Sequence, residues 1–267
     1  MNMNSYFSGD KLYGNDFDET QIREWYADEK EGYAGLGSNQ RNNYEYGYHI
    51  LNQSLGYCSI SKKELDILAV GAAYGDEIIP IRDRVKSLIV LDPSDSFEIT
   101  NSIIKNICWI KPNPTGVLEF DDCSFDLVTC FGVLHHIPNV EFVLKEIGRV
   151  LRVGGTLILR EPIVSMGDWT QPRQGLTKRE RGIPRDLLVK YATGDLLSII
   201  SKHYVMFTPL VRLIYKMGYR RSMYNSRPFL YLDIFLCWLF SFQARRYHRK
   251  RILEKIAPSG LFLVLRK

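Results

Sequence analysis

Short apolar runs bounded by turn residues recur along the chain from about residue 65 onward. Several of them, such as 66–70, are apolar throughout and do not alternate with polar residues. This pattern is typical of strands in a parallel sheet that is covered on both faces. We therefore predict strands over the following ranges: 66–70, 87–92, 107–111, 125–131, 156–161, 203–207 and 261–265.

Helical patterns lie between and before these runs. Over 140–152 the apolar positions fall on one face, and Gly154 and Gly155 are predicted to end that helix. A second helix is predicted from about Asp18 to Tyr33, with Asp18 or Thr20 as its cap. Strand–helix alternation at this spacing predicts an α/β fold, a doubly wound and mostly parallel sheet of seven strands.

Four segments are predicted along the chain. Residues 1–60, rich in tyrosine and acids, form an N-terminal lid region, and residues 61–208 form the sheet core. Residues 209–258 form a basic helical insertion, and residues 259–267 supply the last core strand. The aromatic N-terminal arm either closes over a ligand or packs on the domain.

Three linked segments carry the candidate chemistry. They are LDILAVGAAYGDE (65–77), LIVLDPSD (88–95) and FDLVTCFGVLHHIPN (125–139). The first is predicted to be a strand, a glycine turn and a helix start; the second ends in Asp92, 21 residues beyond Gly71. An acid at that spacing can hold ribose hydroxyls, so the order fits a nucleoside-bearing cofactor.

Together with EIGRVLRVGGTLILREP (146–162), these segments resemble class I S-adenosylmethionine-dependent methyltransferases with a type 11-like domain. The resemblance covers residues 65–162 and implies a Rossmann-like fold with S-adenosylmethionine as the cofactor. The helical insertion and the PSGLFLVLRK ending are similar to those of sugar and glycan O-methyltransferases from bacterial polysaccharide gene clusters.

The resemblance also assigns the cofactor-binding positions. The glycine turn would lie beneath the methionine part, an acid after it would face the amino group, and the next strand end would hold ribose and adenine. The implied residues are Gly71, Ala73, Gly75, Asp76 (or Glu77), Asp92, Pro93, Ser94 and Phe131. The sequence departs from the family pattern at Ala69, where an acid is usual, and at Ala73, where a glycine is usual.

His135 and His136 directly follow a predicted strand end, and Glu161 ends the neighbouring strand. Open α/β sheets bind ligands at this edge, and a histidine can act there as a general base. The resemblance to sugar O-methyltransferases implies His135 or His136 as the base and Glu161 as the residue that orients it. Alternatively, the histidine pair packs and caps the following helix.

The loop after Glu161 is rich in cations. Trp169, Arg173 and Arg181 are predicted to bind an anionic or nucleotide-linked glycan acceptor, through stacking and guanidinium contacts. The alternative is a salt-linked lid that only orders the site.

Charge is divided unevenly along the chain. Residues 1–172 carry a net charge of −10, whereas residues 173–267 carry +15. An asymmetry of this size suggests an anionic partner for the second half. The apolar stretch 229–240 and the basic cluster after it predict either a buried helix or peripheral membrane contact through 229–251, at the inner face of the membrane.

Composition bears on the cellular compartment, on metal binding and on nucleic-acid binding. Five widely spaced cysteines without a CxxC pair indicate reduced thiols in the cytoplasm and predict no metal site. No signal peptide is recognised, and no nucleic-acid motif accompanies the charge.

The leading hypothesis is methyl transfer to a hydroxyl of a small molecule or an anionic, nucleotide-linked or lipid-linked glycan. Carbon methylation of a quinone-like or lipid acceptor is the alternative within the enzyme class. A non-catalytic scaffold, suggested by Ala69 and Ala73, is the alternative outside it.

Overall fold

The computed structural model describes residues 3–34, 45–94, 104–171, 173, 175–219 and 222–267. Their strands are β1 (Leu65–Val70), β2 (Val85–Leu91), β3 (Ile107–Ile110), β4 (Phe125–Phe131), β5 (Leu151–Pro162), β6 (Ser198–Phe207) and β7 (Pro258–Arg266). They form one sheet in the order β3-β2-β1-β4-β5-β7-β6. Its first five strands are parallel, and β7 runs antiparallel between β5 and β6.

Helices cover both faces of this sheet. They are α1 (Asn4–Ser8), α2 (Glu19–Ala34), α3 (His49–Leu55), α4 (Val140–Val150), α5 (Arg185–Thr193), α6 (Thr208–Lys216) and α7 (Arg227–Leu239). Two separate clusters of buried apolar side chains fill the space between the sheet and its two helical layers. The predicted doubly wound, seven-stranded, mostly parallel fold is confirmed.

The junction of α4 and β5 differs from the prediction. The helix ends at Val150, and the strand begins at once, because Leu151 pairs with Phe125 on β4. Gly154, with φ of +80°, interrupts β5 after this first pair and does not cap the helix. The glycine pair therefore marks a shift of strand register rather than a helix end.

The predicted cap of α2 is Asp18. Its Oδ1 accepts the Gln21 N–H at 2.9 Å, while the Gln21 side-chain oxygen accepts the Asp18 N–H at 3.1 Å. This reciprocal pair is a capping box, and it satisfies donors that the first helical turn leaves open.

The glycine turn after β1 does not open into an α-helix. It leads into a 3₁₀ segment, Asp76–Arg84, that contains Pro80 and is kinked at Ile81 (φ −122°). Proline lacks an N–H and obstructs the carbonyl one turn earlier, so a regular α-helix is disfavoured there.

The segment between β6 and β7 is helical, as predicted, and is anchored by Asp233. This buried carboxylate of α7 accepts the backbone N–H groups of Met206 (2.9 Å) and Phe207 (2.8 Å), where β6 ends. Within the described ranges, no helix combines the length and the apolar character needed to cross a bilayer.

Candidate active site

A cavity of about 480 Å³ lies at the carboxyl ends of β1, β2 and β4. Its walls come from the glycine turn, from the end of β2, from the turn after β4 and from α2. The lining residues used below are Tyr26, Glu29, Gly71, Ala73, Asp92, Pro93, Pro112, Asn113, Pro114, Val133 and His136. This is the edge at which an open α/β sheet binds its ligands.

The glycine turn passes tightly beneath this cavity. A Cβ on Gly71 would lie 2.4 Å from Cγ2 of Val133, so only glycine fits there. Gly71, Ala73 and Gly75 all have positive φ, of +63°, +50° and +76°. A left-handed conformation costs a residue with a Cβ about 1–2 kcal/mol.

Two hydrogen bonds hold Ala73 in this conformation. Its N–H donates to Asp92 Oδ2 at 3.1 Å, and its carbonyl accepts the Trp109 Nε1–H at 3.0 Å. Asp92 Oδ1 also accepts the Ser94 N–H at 2.9 Å. The turn therefore keeps its shape although alanine replaces the usual glycine.

Four of the predicted cofactor residues, Gly71, Ala73, Asp92 and Pro93, line the cavity. Gly75, Asp76, Ser94 and Phe131 do not contribute to its lining. Ser94 acts through its N–H on Asp92, and Phe131 stacks on Phe262 at 5.9 Å between ring centroids.

The neighbouring acid Glu77 is buried away from the cavity. Its carboxyl accepts a hydrogen bond from the Thr129 hydroxyl, and its carbonyl accepts one from Tyr57 at 2.9 Å. Burial, only partly offset by Thr129 and Arg160, raises the pKa of Glu77 to about 7. Glu77 therefore stabilises the packing of the turn rather than facing a ligand.

Glu161, at the end of β5, orders the turn after β4. Its Oε1 accepts hydrogen bonds from the N–H groups of Val133 and Leu134, each at 2.8 Å, and its Oε2 accepts one from His135 Nδ1–H at 2.8 Å. His135 Nε2 lies 3.5 Å from the carboxylate of Glu180. The imidazole is thus held between two carboxylates.

These carboxylates determine the charge of His135. Burial opposes protonation, but Glu161 and Glu180 outweigh it and raise the pKa of His135 to about 9. An imidazolium at neutral pH has no lone pair with which to accept a proton, so this geometry does not suit His135 as a base.

His136 differs from His135 both in its position and in the direction of its pKa shift. It lines the cavity, and its Nδ1 lies 3.0 Å from Oε2 of Glu29 on α2. Burial and the adjacent His135 charge lower the pKa of His136, although Glu29 opposes this shift. Of the two histidines, His136 is therefore the one with the position and charge of a general base.

Donor atoms of His135, His136 and Glu180 lie within 4.8 Å of one another. Two imidazoles and a carboxylate are a common ligand set for transition metals, but each imidazole must then be unprotonated at the ligating nitrogen. Both ring nitrogens of His135 already face carboxylates, Glu161 at 2.8 Å and Glu180 at 3.5 Å, so we interpret the cluster as an ion network.

Comparison with known proteins identifies the family to which the central part of the chain is similar. Residues 68–159, about a third of the chain, match the family described as methyltransferase domain. This match identifies residues 68–159 as a methyltransferase domain. S-Adenosylmethionine is the cofactor of this domain class.

The relatives of the methyltransferase domain are distant. A tRNA U34 carboxymethyltransferase of Nautilia profundicola is 32% identical over 114 residues, which cover 41% of this chain and 38% of that protein. The sterol 4-C-methyltransferase strm-1 of Caenorhabditis elegans is 29% identical over 119 residues, which cover 40% and 35%. The chain thus spans little more than a third of either relative.

Solved structures extend the likeness of fold beyond the matched segment. An S-adenosylmethionine-dependent methyltransferase from Mesorhizobium loti superimposes with a TM-score of 0.53 at 14% identity. The superposition covers 82% of this chain and 98% of that one. At this identity the likeness shows the fold alone.

Arg181 has a different role from the predicted one. Its side chain is fully buried, and all five of its N–H donors are bonded to backbone carbonyls, which leaves none for an acceptor. Those carbonyls belong to Tyr13, Leu134, His135, Ile137 and Pro138, at 2.9–3.3 Å. The predicted contact of Arg181 with an anion is therefore replaced by a structural one.

The other predicted acceptor residues are also engaged within the fold. Trp169 is buried and stacks on Phe7 with ring centroids 4.5 Å apart. Arg173 donates to the carbonyls of Met166 (3.2 Å) and Thr177 (3.0 Å). Within the described residues, Trp169 Nε1 and Arg173 Nε are buried donors that make no hydrogen bond.

The remaining cations of this loop form ion pairs. Lys178 and Arg179 pair with Asp28 on α2, at 3.3 and 2.6 Å, and Arg185 pairs with Asp186. The loop over 161–185 thus has the contacts of the salt-linked lid that the sequence left as an alternative.

The N-terminal arm packs rather than lining the cavity. Tyr6, Phe7 and Tyr13 form an aromatic cluster with Trp169 and Tyr247. The following helix α2 is the part that reaches the site, because Trp25 donates to the His136 carbonyl at 2.8 Å.

Sequence reasoning missed Glu29 and Glu180, the two acids that flank the histidine pair. Both are buried, and both come from segments distant in sequence from residues 135–136. Glu29 lies within the helix predicted from about Asp18 to Tyr33, and Glu180 lies among the cations of the loop after Glu161. The burial of these two acids could not be predicted from the sequence.

We expect Arg181→Met to lower the free energy of unfolding by about 3–5 kcal/mol, because five buried carbonyls lose their donor. Arg23→Met removes an exposed pair with Glu19 and should cost less than about 1 kcal/mol. Urea unfolding of both variants measures the difference. Equal losses would contradict the structural role of Arg181.

Because the pKa of His135 is raised to about 9, its contribution to stability is complete below its unfolded pKa and is lost as pH rises through about 9. Stability should therefore fall between about pH 7 and about pH 10 by roughly 3 kcal/mol. In His135→Gln the fall should be much smaller. The same slope in both proteins, measured by urea unfolding, would contradict the raised pKa.

Proposed function

We propose that the chain transfers a methyl group from S-adenosylmethionine to a hydroxyl of a small-molecule or glycan acceptor, with His136 as the general base. The observation that carries this proposal is one cavity whose walls include the glycine turn, Asp92 and His136. The cofactor-binding elements and a candidate base thus face the same space.

The cavity has the features that this cofactor needs. The Gly71 turn leaves room for close approach, and the Asp92 carboxylate can accept hydrogen bonds from ribose hydroxyls. Pro93, Pro112 and Pro114 give an apolar wall beside Asn113, which suits a purine ring. These contacts favour an intact cofactor site over the scaffold alternative, because the loss of glycine at residue 73 is compensated by two hydrogen bonds.

When bound, S-adenosylmethionine supplies a methyl group on a positively charged sulfur, which keeps the electron pair of the broken bond. The chain must hold the acceptor oxygen in line with that methyl group and remove its proton. A neutral His136 whose Nδ1–H donates to Glu29 can accept that proton at Nε2. Glu29 then stabilises the imidazolium that forms.

The proposal also includes the chemical class of the acceptor. Because the cations of the 161–185 loop are paired internally, the contacts give little support to an anionic clamp. The named acceptors of the two relatives, a tRNA nucleotide and a sterol, differ in class and do not decide it. We therefore propose a hydroxyl acceptor that is neutral near the reacting oxygen, as in a sugar ring.

A carbon acceptor remains the second candidate. The observation that favours it is the apolar character of most of the cavity wall, which suits a quinone or lipid ring. Product analysis distinguishes the two, because an ether and a carbon-bound methyl group have different fragmentation and carbon NMR shifts.

We expect Asp92→Ala to weaken binding of S-adenosylhomocysteine by at least about tenfold, because the ribose hydroxyls lose a charged acceptor. The matched control is Asp83→Ala, since the Asp83 side chain is 94% exposed. Burial raises the pKa of Asp92, so affinity should fall on acidification at a higher pH than for an ordinary aspartate. Titration calorimetry measures both effects, and equal affinity in the two variants would contradict the ribose assignment.

We expect His136→Gln to lower kcat by about 10²–10⁴-fold while changing the affinity for S-adenosylhomocysteine less than about threefold. Glu29→Gln should lower kcat less and shift the ascending limb of the pH–rate profile to lower pH, because Glu29 raises the pKa of His136. Turnover is measured by mass spectrometry with a panel of glycosides, nucleotide sugars and quinols. An unchanged kcat in His136→Gln would exclude His136 as the base and favour a carbon acceptor.

A further inference from the structure

The outer face of α7 is apolar although it is open to solvent. Exposed side chains follow one another at helical spacing: Tyr231 (60% exposed), Phe235 (54%) and Trp238 (68%), with Leu232 and Leu239 beside them. Phe242, 70% exposed, follows in the 3₁₀ turn just beyond the helix. We call Tyr231, Leu232, Phe235, Trp238, Leu239 and Phe242 the α7 face.

The opposite side of the helix fixes this orientation. Leu230, Asp233 and Cys237 are fully buried, and Asp233 binds the two N–H groups at the end of β6. Rotating the helix to bury Trp238 would place the Asp233 carboxylate in solvent and leave those N–H groups without an acceptor. The apolar face is therefore held outward by a buried polar anchor.

Contiguous exposed aromatic and aliphatic side chains on this scale mark a surface that another body covers. Burial of a large side chain is worth about 1.5–3 kcal/mol, so six of them provide substantial binding free energy.

The charge of the segment around the α7 face indicates what kind of partner covers this face. Residues 208–255 contain eleven Lys and Arg but only two acidic residues, Asp233 and Glu254. Asp233 is buried, so Glu254 is the single acid of this segment outside the core. Exposed cations stand at the start of α7 and follow it in the sequence: Arg227, Arg245, Arg246, Lys250, Arg251 and Lys255.

We propose that the α7 face is a docking surface for an anionic lipid bilayer. An in-plane helix of this kind places its apolar side chains at the acyl boundary and its cations against phosphate headgroups. Exposed tryptophan and tyrosine are the side chains favoured at that depth. Two copies of the chain meeting through this face would bring two basic surfaces together, which disfavours self-association.

Docking on a bilayer would also affect which acceptors the chain meets. A chain seated on a bilayer through the α7 face meets acceptors that carry a lipid. The docking proposal itself stands on α7 and its cations, so it does not depend on methyl transfer.

Vesicle binding tests the proposal. The full chain is mixed with phosphatidylcholine vesicles with and without phosphatidylglycerol, and binding is followed by co-sedimentation and by tryptophan fluorescence. Trp238 is the most exposed of the four tryptophans, so its emission should shift to shorter wavelength on binding. We expect affinity for anionic vesicles at least about tenfold above that for neutral ones, and a decrease with added salt.

Two double variants separate the contributions. Phe235→Ser with Phe242→Ser should weaken binding by at least about tenfold through lost apolar burial. Arg245→Glu with Lys250→Glu should weaken binding to anionic vesicles by at least about tenfold and leave neutral vesicles unaffected. The matched controls are Val153→Ser, an exposed apolar residue at 84%, and Lys105→Glu, an exposed cation; neither should change binding.

Three results would overturn the proposal. One is the absence of binding to anionic vesicles. Another is binding that the α7 variants and the controls change equally. The third is a stable dimer by light scattering in which Phe235→Ser with Phe242→Ser yields monomers, because the face would then join two copies of the chain. Circular dichroism and thermal unfolding verify that each variant is folded.

Discussion

The buried guanidinium of Arg181 is the interaction on which the rest of the site depends. Five backbone carbonyls from the N-terminal arm and from the turn after β4 converge on this one cation. A buried charge is tolerated only when it is fully hydrogen-bonded and balanced nearby. Here the acids Glu29 and Glu161 supply part of that balance. The Arg181 guanidinium therefore sets both the conformation of the turn after β4 and the position of the N-terminal arm.

This network gives two adjacent histidines opposite states. His135 faces the interior between Glu161 and Glu180, and its pKa is raised to about 9. His136 faces the cavity, and its pKa is lowered by burial and by its charged neighbour. Environment, rather than residue type, thus separates a structural cation from a candidate base. The motif alone could not make this distinction, because both residues have the same side chain.

The sequence predicted the sheet, the glycine turn and the position of Asp92, since these follow from apolar patterning and from local turn chemistry. It did not predict that backbone carbonyls would accept all the N–H donors of Arg181. In a polar loop, a buried arginine and a ligand-binding arginine cannot be distinguished from the sequence. It also placed the end of α4 too late, because pairing of Leu151 with Phe125 is a tertiary contact. Glu29 was missed for a related reason: its partner His136 lies 107 positions away.

The same long separations bear on how the protein is made. The contacts that complete the site join Trp25 to His136, Glu29 to Thr177 and Tyr13 to Arg181, across 111, 148 and 168 positions. Contacts between distant positions form late, since the loop they close must be ordered first. During synthesis, the arm leaves the ribosome long before the lid that receives it. The parallel strands β1 to β4 leave the ribosome before the 161–185 loop, so they can pair while the candidate site is still incomplete. The site is complete only once the N-terminal arm and α2 contact the turn after β4 and this loop.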